Sequence, residues 1–413
     1  LVAARSAPGA RAATFTVAGQ VRRALTAAGF AVEKRPGHGK KRERLEARLP
    51  GVAGQSARRG VAIIGAGIAG AAAARAVRAL GGEPVVYEAL RPGAGGSGNP
   101  AALVTPRLDA GLGEAARLFA QAFGRGTDLY AQIAGAVVDR GVLQLADGER
   151  DAARFDKIAA SDVFEPDALA VLDAVQASAR LGEPAGRALD QRTALVVDPA
   201  PILAAWLGET RAARVAALAR HGAGWTLLDD AGREMARADA VIVAAALGSR
   251  DLLPHLPLQP VRGQASWTSD GGAAPAAAWG GYVLPTRTGV LFGATHDRDD
   301  EDLDLRPADH RRNLDLVAAA LPVLAARLAD ASLGGRASIR AVPPDRLPLA
   351  GAAGVEGLFI LSGFGSRGFS LAPLLAEHVA ALAMHAPSPI SRAAAELVSP
   401  ARFAQRAARR IRS

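Results

Sequence analysis

The sequence predicts a mixed α/β fold, α+β overall, in which a nucleotide-binding sheet is interrupted by strand-rich insertions. Three observations predict it. The stretch VAIIGAGIAG at 61–70 runs an apolar strand straight into Gly65-x-Gly67-x-x-Gly70. Strand–helix–strand patterns recur at 60–90, 195–250 and 355–385. The intervals between them, 259–295 above all, read as strands and hairpins.

In chain order, residues 12–15 read as a strand and Val17–Ala28 as an amphipathic helix that Gly29 ends. Short strands follow around Ala31–Arg35 and Arg44–Leu49, with a basic glycine-containing loop, 36–43, between them. This opening segment looks like the end of an α/β domain without the sheet that would bury it. Residues 50–60 are small, polar and glycine-containing, as a linker is. A helix over Ala69–Leu80 then leads to a strand, Pro84–Tyr87, that ends in Glu88. Further on, strands are expected at 141–146, 224–228 and 240–246, with a turn at Asp229–Gly232. A hairpin is expected around Arg287–Gly289, one helix over Leu314–Leu328, a strand at Leu358–Leu361 and a helix over Phe369–Met384. The expected division is 1–50, a linker 51–60 and a second domain 61–413. Within the latter, nucleotide-binding parts lie at about 61–115, 195–258 and 336–390, substrate parts at about 116–194 and 259–335, and a basic tail at 391–413.

Totals bound the function. The chain has 413 residues, half of them apolar, enough for more than one core. It opens on Leu1, not Met, as a piece of a longer protein would. Its Arg- and Ala-rich start runs on into strand-like AVEKR instead of a cleavage site, which argues against a transit peptide. With no cysteine, disulfides, thiolate nucleophiles and Cys-bound zinc are excluded, and a reducing cytoplasm is the natural setting. The longest uncharged apolar run, Val61–Ala74, is too short to cross a bilayer, so no membrane span is expected. The net charge is +9. That suits a polyanionic partner such as nucleic acid, and it equally suits a genome that favours arginine codons. The seven histidines show no metal-ligand spacing; His296 and His378 read as surface or helix positions, and no metal is assigned.

Four stretches carry chemistry. In the first, Gly65 permits a tight turn, Gly67 lets the backbone approach a pyrophosphate, and Gly70 lets helix and strand pack closely. Glu88, at the next strand end, is the acid that can accept both ribose hydroxyls of an adenosine. In the second, Gly363-x-Gly365-x-x-Gly368 repeats the spacing with no acid after it. With Ser366, it suits a helix N-terminus aimed at the far end of one extended cofactor, where it would complement negative charge on a reduced flavin. In the third, GGSGNPAALVTPRLD at 95–109, the small residues Gly96 and Ser97 and the polar Asn99 allow close approach to a ligand. In the fourth, RASIRAVPPDRLPLAG at 336–351, Arg340 lies in an apolar-flanked strand and needs an anion. A substrate carboxylate and an internal salt bridge to Asp or Glu both satisfy that need.

Together these stretches resemble the family of bifunctional tRNA 5-methylaminomethyl-2-thiouridine biosynthesis proteins. In that family an N-terminal methyltransferase is joined to a C-terminal FAD-dependent oxidase of the D-amino-acid/glycine oxidase type. The resemblance rests on GGSGNPAALVTPRLD, on RAVPPDRLPLAG, on GSRGFSLAPLLAEHVAA and on the ending SPARFAQRAARR, in that order. The opening ATFTVAGQVRRALTAAGFAVEKRPGHGKKRE resembles the last helix and strands of the family's methyltransferase. It implies a discontinuous Rossmann-like FAD-binding domain with a strand-rich substrate domain, preceded by the C-terminal remnant of an α/β methyltransferase domain. The S-adenosylmethionine site of that domain is expected to be missing from these residues. The cofactor implied is non-covalent FAD. The substrate implied is tRNA, at its wobble uridine, whose carboxymethylaminomethyl group would lose glyoxylate. Arg340 aligns with the family's carboxylate-binding arginine, and Tyr282 with a second carboxylate contact. Phosphate contacts are expected from Arg402, Arg406, Arg409, Arg410 and Arg412 and from the loop 40–44. The same constellation leaves open a free-glycine, sarcosine or D-amino-acid oxidase.

Overall fold

The computed structural model describes residues 3–6, 8–37, 42–51, 59–270, 272 and 274–412, the last four for their backbone. Contacts divide the chain into two units, Leu1–Arg59 and Gly60–Ser413.

In the first unit Arg11–Thr14 and Ala31–Pro36 flank Glu43–Arg48 in a three-stranded antiparallel sheet. Phe30, Leu45 and Ala47 are buried on it. The helix Gly19–Ala27 buries none of its residues. Gly29, at φ +90°, turns the chain out of the helix into the next strand, a conformation that glycine alone adopts cheaply. The strands and helix expected here are present within two residues. The linker at 52–58, with Lys40 and Lys41, lies outside the described residues.

The second unit holds two large sheets. One has six strands, in the order Thr210–Ala212, Glu83–Glu88, Gly60–Ile64, Ala240–Val243, Leu358–Ser362, Leu349–Ala352. The first five are parallel and the last is antiparallel. Central strands of such a sheet are covered on both faces, which is why VAII and AVIV read as unbroken apolar runs. The helices Ile68–Ala79 and Gly368–Ala383 cover it, most residues of each buried. Their alanines let them approach the strands and each other closely.

The other sheet has ten strands and is mostly antiparallel. Its centre runs Gln259–Thr268, Val290–Gly293, Tyr282–Pro285, Ala277–Ala278, Val137–Leu145, Ala188–Val197. The long strand Gly334–Val342 pairs along the whole of Gln259–Thr268. A separate three-stranded antiparallel sheet, 217–238, is inserted before Ala240. No helix among the described residues is long and apolar enough to cross a membrane.

Two expectations need correction. The helix over Leu314–Leu328 is two helices, Pro307–Ala320 and Pro322–Leu328, because Pro322 forces Leu321 out of the helical region to φ −136°, ψ 71°. The nucleotide-binding part does not begin at 336: the strand carrying Arg340 belongs to the antiparallel sheet, and the chain crosses over at Pro343 and Pro344. Likewise Ala102–Val104 and the end of Ala188–Val197 belong to the antiparallel sheet.

Candidate functional site

The turn after Gly60–Ile64 is built by exclusion of side chains. Gly65 has φ +109°, and a Cβ there would lie 2.5 Å from the Ala244 carbonyl oxygen. A Cβ on Gly70 would lie 1.8 Å from the Gly65 carbonyl oxygen. Glu88 sits beside this turn at the end of the neighbouring strand. Its Oε2 accepts from the Ala66 N–H at 2.7 Å and its Oε1 from the Leu90 N–H at 2.9 Å. Two backbone donors thus fix the carboxylate, with lone pairs left on each oxygen. The Ser97 hydroxyl accepts from the Ile68 N–H at 3.0 Å and so caps the first turn of the helix. Asn99 has a buried Oδ1 with no partner.

A cavity of about 630 Å³ opens from this turn. Gly67, Gly96, Ser97 and Asn99 line one part of it, and Gly363, Gly365, Ser366 and Gly368 another. Gly65 and Gly70, which build the turn, and Glu88 beside it are not in the lining. Gly363 and Gly365, at φ +75° and +55°, bring the backbone to the N-terminus of the helix Gly368–Ala383. Arg367, at the N-cap, donates weakly to the Pro106 carbonyl at 3.4 Å. Burial and the neighbouring Arg107 charge lower its pKa to about 10.

The antiparallel sheet supplies the cavity's other wall, with Tyr282 and Arg340 on it. Arg340 extends over Gly263, where a Cβ would meet its guanidinium at 2.1–2.3 Å. Its Nη1 donates to the carbonyls of Thr295, at 3.1 Å, and Arg262, at 3.3 Å. Among the described residues no carboxylate pairs with it. The internal salt bridge open to it from sequence is therefore absent. Burial lowers its pKa, partly offset by Tyr282 and Asp297, yet an arginine so placed stays charged. Burial raises the Tyr282 pKa, against the pull of Arg340, so the phenol keeps its proton at neutral pH. Behind them Arg262 is fully buried and paired to Asp309 at 2.5 Å, with further bonds to Gln264 and the Asp302 and Asp304 carbonyls. That network fixes the carbonyl on which Arg340 rests.

Sequence reasoning missed Arg336, whose Nη2 donates to the carbonyls of Gly93, at 3.0 Å, and Gly95, at 2.9 Å. It holds the glycine loop of the third motif against the antiparallel sheet. Its place in the motif quoted with Arg340 was the available signal. The expected phosphate contacts are corrected at three positions. Arg402 is buried and paired with Asp345 at 2.9 Å, and Arg406 pairs with the same carboxylate at 2.6 Å. Burial opposes ionisation of Asp345, but these guanidiniums outweigh it and hold its pKa at about 2. Arg44 is engaged by Glu46 at 2.6 Å and by the Pro36 carbonyl. The side chains of Arg409, Arg410 and Arg412 lie outside the described residues. His378 is buried in its helix beside Ser388 at 2.8 Å, its pKa lowered by burial to about 4. No cluster of three metal-ligating side chains occurs among the described residues.

A glycine turn with a fixed acid beside it, facing a sheet that presents an arginine across one cavity, defines a FAD-dependent oxidoreductase. The profile of the FAD dependent oxidoreductase family matches residues 60–382. The fold is that of glycine oxidase from Geobacillus kaustophilus: TM-score 0.70, 22% identity, covering 83% of this chain and 98% of that one. Iminodiacetate oxidase from Chelativorans sp. BNC1 gives 0.69 at 22% identity, covering 82% and 98%. The chain belongs to the family of the tRNA 5-methylaminomethyl-2-thiouridine biosynthesis bifunctional protein MnmC. It is 56% identical to the protein of that name from Caulobacter sp. (strain K31), over 98% of this chain and 68% of the relative. Against that of Caulobacter vibrioides it is 55% identical, over 97% and 68%. Residues 1–50 match the profile of an S-adenosyl-L-methionine-dependent methyltransferase.

Proposed function

We propose that the chain removes the carboxymethyl group from 5-carboxymethylaminomethyl-2-thiouridine at the wobble position of tRNA. The net products are 5-aminomethyl-2-thiouridine and glyoxylate. One observation carries the reading beyond family membership: Arg340 faces the cavity with backbone carbonyls as its acceptors and, among the described residues, no acid paired with it. The substituent is an N-substituted glycine, and its carboxylate is the anion Arg340 lacks.

The cavity fits FAD. Glycines stand where a pyrophosphate needs close backbone, Glu88 is fixed where a ribose is expected, and the Asn99 oxygen is buried and unused. We assign Gly65, Gly67, Gly70, Glu88, Gly96, Ser97 and Asn99 to holding it, with Gly363, Gly365, Ser366 and Gly368 at its far end. When bound, FAD supplies the two-electron acceptor for the C–H bond of the glycine methylene. The protein's own part is orientation. Arg340 grips the carboxylate and Tyr282, kept protonated, donates a second hydrogen bond. No side chain is needed to take a proton if the amine arrives uncharged, in keeping with a cavity whose lining holds no histidine.

The test is glyoxylate release from tRNA carrying the modified uridine, with free sarcosine as the comparison. Faster turnover of sarcosine would favour a small-molecule oxidase instead. We further infer that these 413 residues transfer no methyl group by themselves, since the described part of 1–50 forms a three-stranded sheet and one helix. Transfer of a labelled methyl group to aminomethyl-tRNA by this chain would refute that. The tRNA substrate places the work in the cytoplasm.

A further inference from the structure

Three side chains that line the cavity each carry a polar group with no hydrogen-bond partner among the described residues. The register of the antiparallel sheet sets Gln144 opposite Ala278, and Ala278 opposite Tyr282. Gln144 therefore stands two strands beyond Tyr282, and it lines the same cavity. Nothing among the described residues hydrogen-bonds its carboxamide. Trp279, also in the lining, packs its indole against Gly281 and has a buried Nε1–H without an acceptor. Arg154, on the helix Glu149–Ala159, pairs its outer nitrogen with Asp151 at 3.4 Å, but its Nε–H is buried and unpartnered. Buried donors without acceptors are rare in folded proteins, and three spare groups in one cavity point to a ligand.

Their distance from the anchor fits one part of the substrate. Two strand spacings are about 10 Å. In an N-substituted glycine the carboxyl carbon lies four bonds, or about 5 Å, from the ring carbon that carries it. With the carboxylate between Arg340 and Tyr282, the pyrimidine comes to lie over Ala278 and Gln144. The chemistry fits as well. The free edge of a 2-thiouracil reads acceptor, donor, acceptor: O4, N3–H and the thiocarbonyl. The side chains that line the cavity carry the complement, two N–H donors and a carboxamide oxygen.

We propose that Gln144 and Trp279, with Arg154 beside them, form the subsite that reads the uracil edge of the substrate. The Gln144 oxygen accepts from N3–H, and the Trp279 and Arg154 N–H groups donate to the flanking acceptors. This is how a base drawn out of a nucleic acid is recognised, by its Watson–Crick edge. The inference rests on the modified-uridine reading above and deepens it.

The probe is a synthetic anticodon stem-loop RNA carrying the modified uridine, with N3 either free or methylated. Glyoxylate release by the full chain is expected to favour the free form by about 10- to 100-fold in kcat/KM, since a buried polar group left unpaired discriminates strongly. In Gln144→Ala that ratio should fall to within about threefold of one. Trp279→Phe should lower kcat/KM for both RNAs several-fold and keep the ratio. Flavin absorbance reports whether each variant has folded, and the wild-type ratio decides even where one has not. A wild-type ratio near one, with normal turnover of the unmethylated RNA, would overturn this inference alone. So would an undiminished ratio in a flavin-replete Gln144→Ala. No glyoxylate from wild type on either RNA would overturn the modified-uridine reading, and this subsite with it.

Discussion

The two large sheets meet at one cavity and contribute to it by opposite means. The parallel sheet contributes backbone. At Gly65, Gly70 and Gly363 there is no room for a Cβ, and what reaches the cavity is main chain and a helix end. The antiparallel sheet contributes long side chains. Arg340, Tyr282 and Gln144 rise from strands whose own backbone is tied into the ladder. A main-chain cradle suits a ligand that is the same in every turnover, while side chains on a rigid ladder suit a ligand that must be told from others. The two halves should therefore fail differently.

The largest effect is expected from Gly70→Ala. Its methyl group would meet a backbone oxygen that cannot move without breaking the turn, at a cost of about 3 kcal/mol or more. Purified protein should be colourless and should melt early. Gly67→Val is milder on the fold, since a Cβ there meets only the Ser97 hydroxyl at 3.2 Å, but its branch enters the cavity and should still expel flavin. A yellow Gly70→Ala protein of normal stability would break the backbone half of the comparison.

Arg340→Ala comes next and should fail in the opposite way, with flavin content kept and turnover lost. Removing one partner of a desolvated pair costs about 3–5 kcal/mol. That corresponds to about a hundred- to several-thousand-fold in kcat/KM for glyoxylate release. Arg340→Lys should be impaired too, because a point charge cannot make the planar fork. Near wild-type release from either variant would remove Arg340 from the carboxylate.

Arg336 lies between the two cases, a side chain of the antiparallel sheet that grips the backbone of the glycine loop. Arg336→Met should weaken flavin retention by about 10- to 100-fold, as the loss of charged hydrogen bonds worth about 1.5–3 kcal/mol implies. Turnover by the flavin-loaded fraction should change little. Flavin titration followed by glyoxylate release per bound flavin checks both statements.

The smallest effect is expected from Asp345→Asn, on stability alone and on the order of 1 kcal/mol. The folded pKa of about 2 lies below the ordinary carboxylate value of about 3.9. The contribution is thus complete above about pH 5 and is lost as pH falls toward 2. The gap in unfolding midpoint between wild type and variant should therefore close in acid. A gap that widened below pH 4 would show that the Arg402 and Arg406 pairing is not its source.

How much of this was legible in the sequence follows from how local each signal is. VAII, the three glycines and Glu88 lie within one strand–helix–strand unit, so spacing and composition suffice to place them. The helix break at Pro322 is equally local, but the apolar period runs straight through it. Arg402 was misread because its partner is 57 residues away. A charge run says how many cations there are and not which of them turn inward. Gln144 carried no signal at all. Its meaning arises only when Val137–Leu145 pairs with the distant Ala277–Ala278, whose neighbouring strand carries Tyr282.

An arginine held by carbonyls and left unneutralised cannot distinguish one carboxylate from another. The proposed substrate and the proposed product glyoxylate carry the same group, so product competes for the site it has just left. Glyoxylate that accumulates is therefore expected to slow successive rounds by occupying Arg340. Small carboxylates used as buffers would slow the enzyme for the same reason, and would do so without touching the RNA.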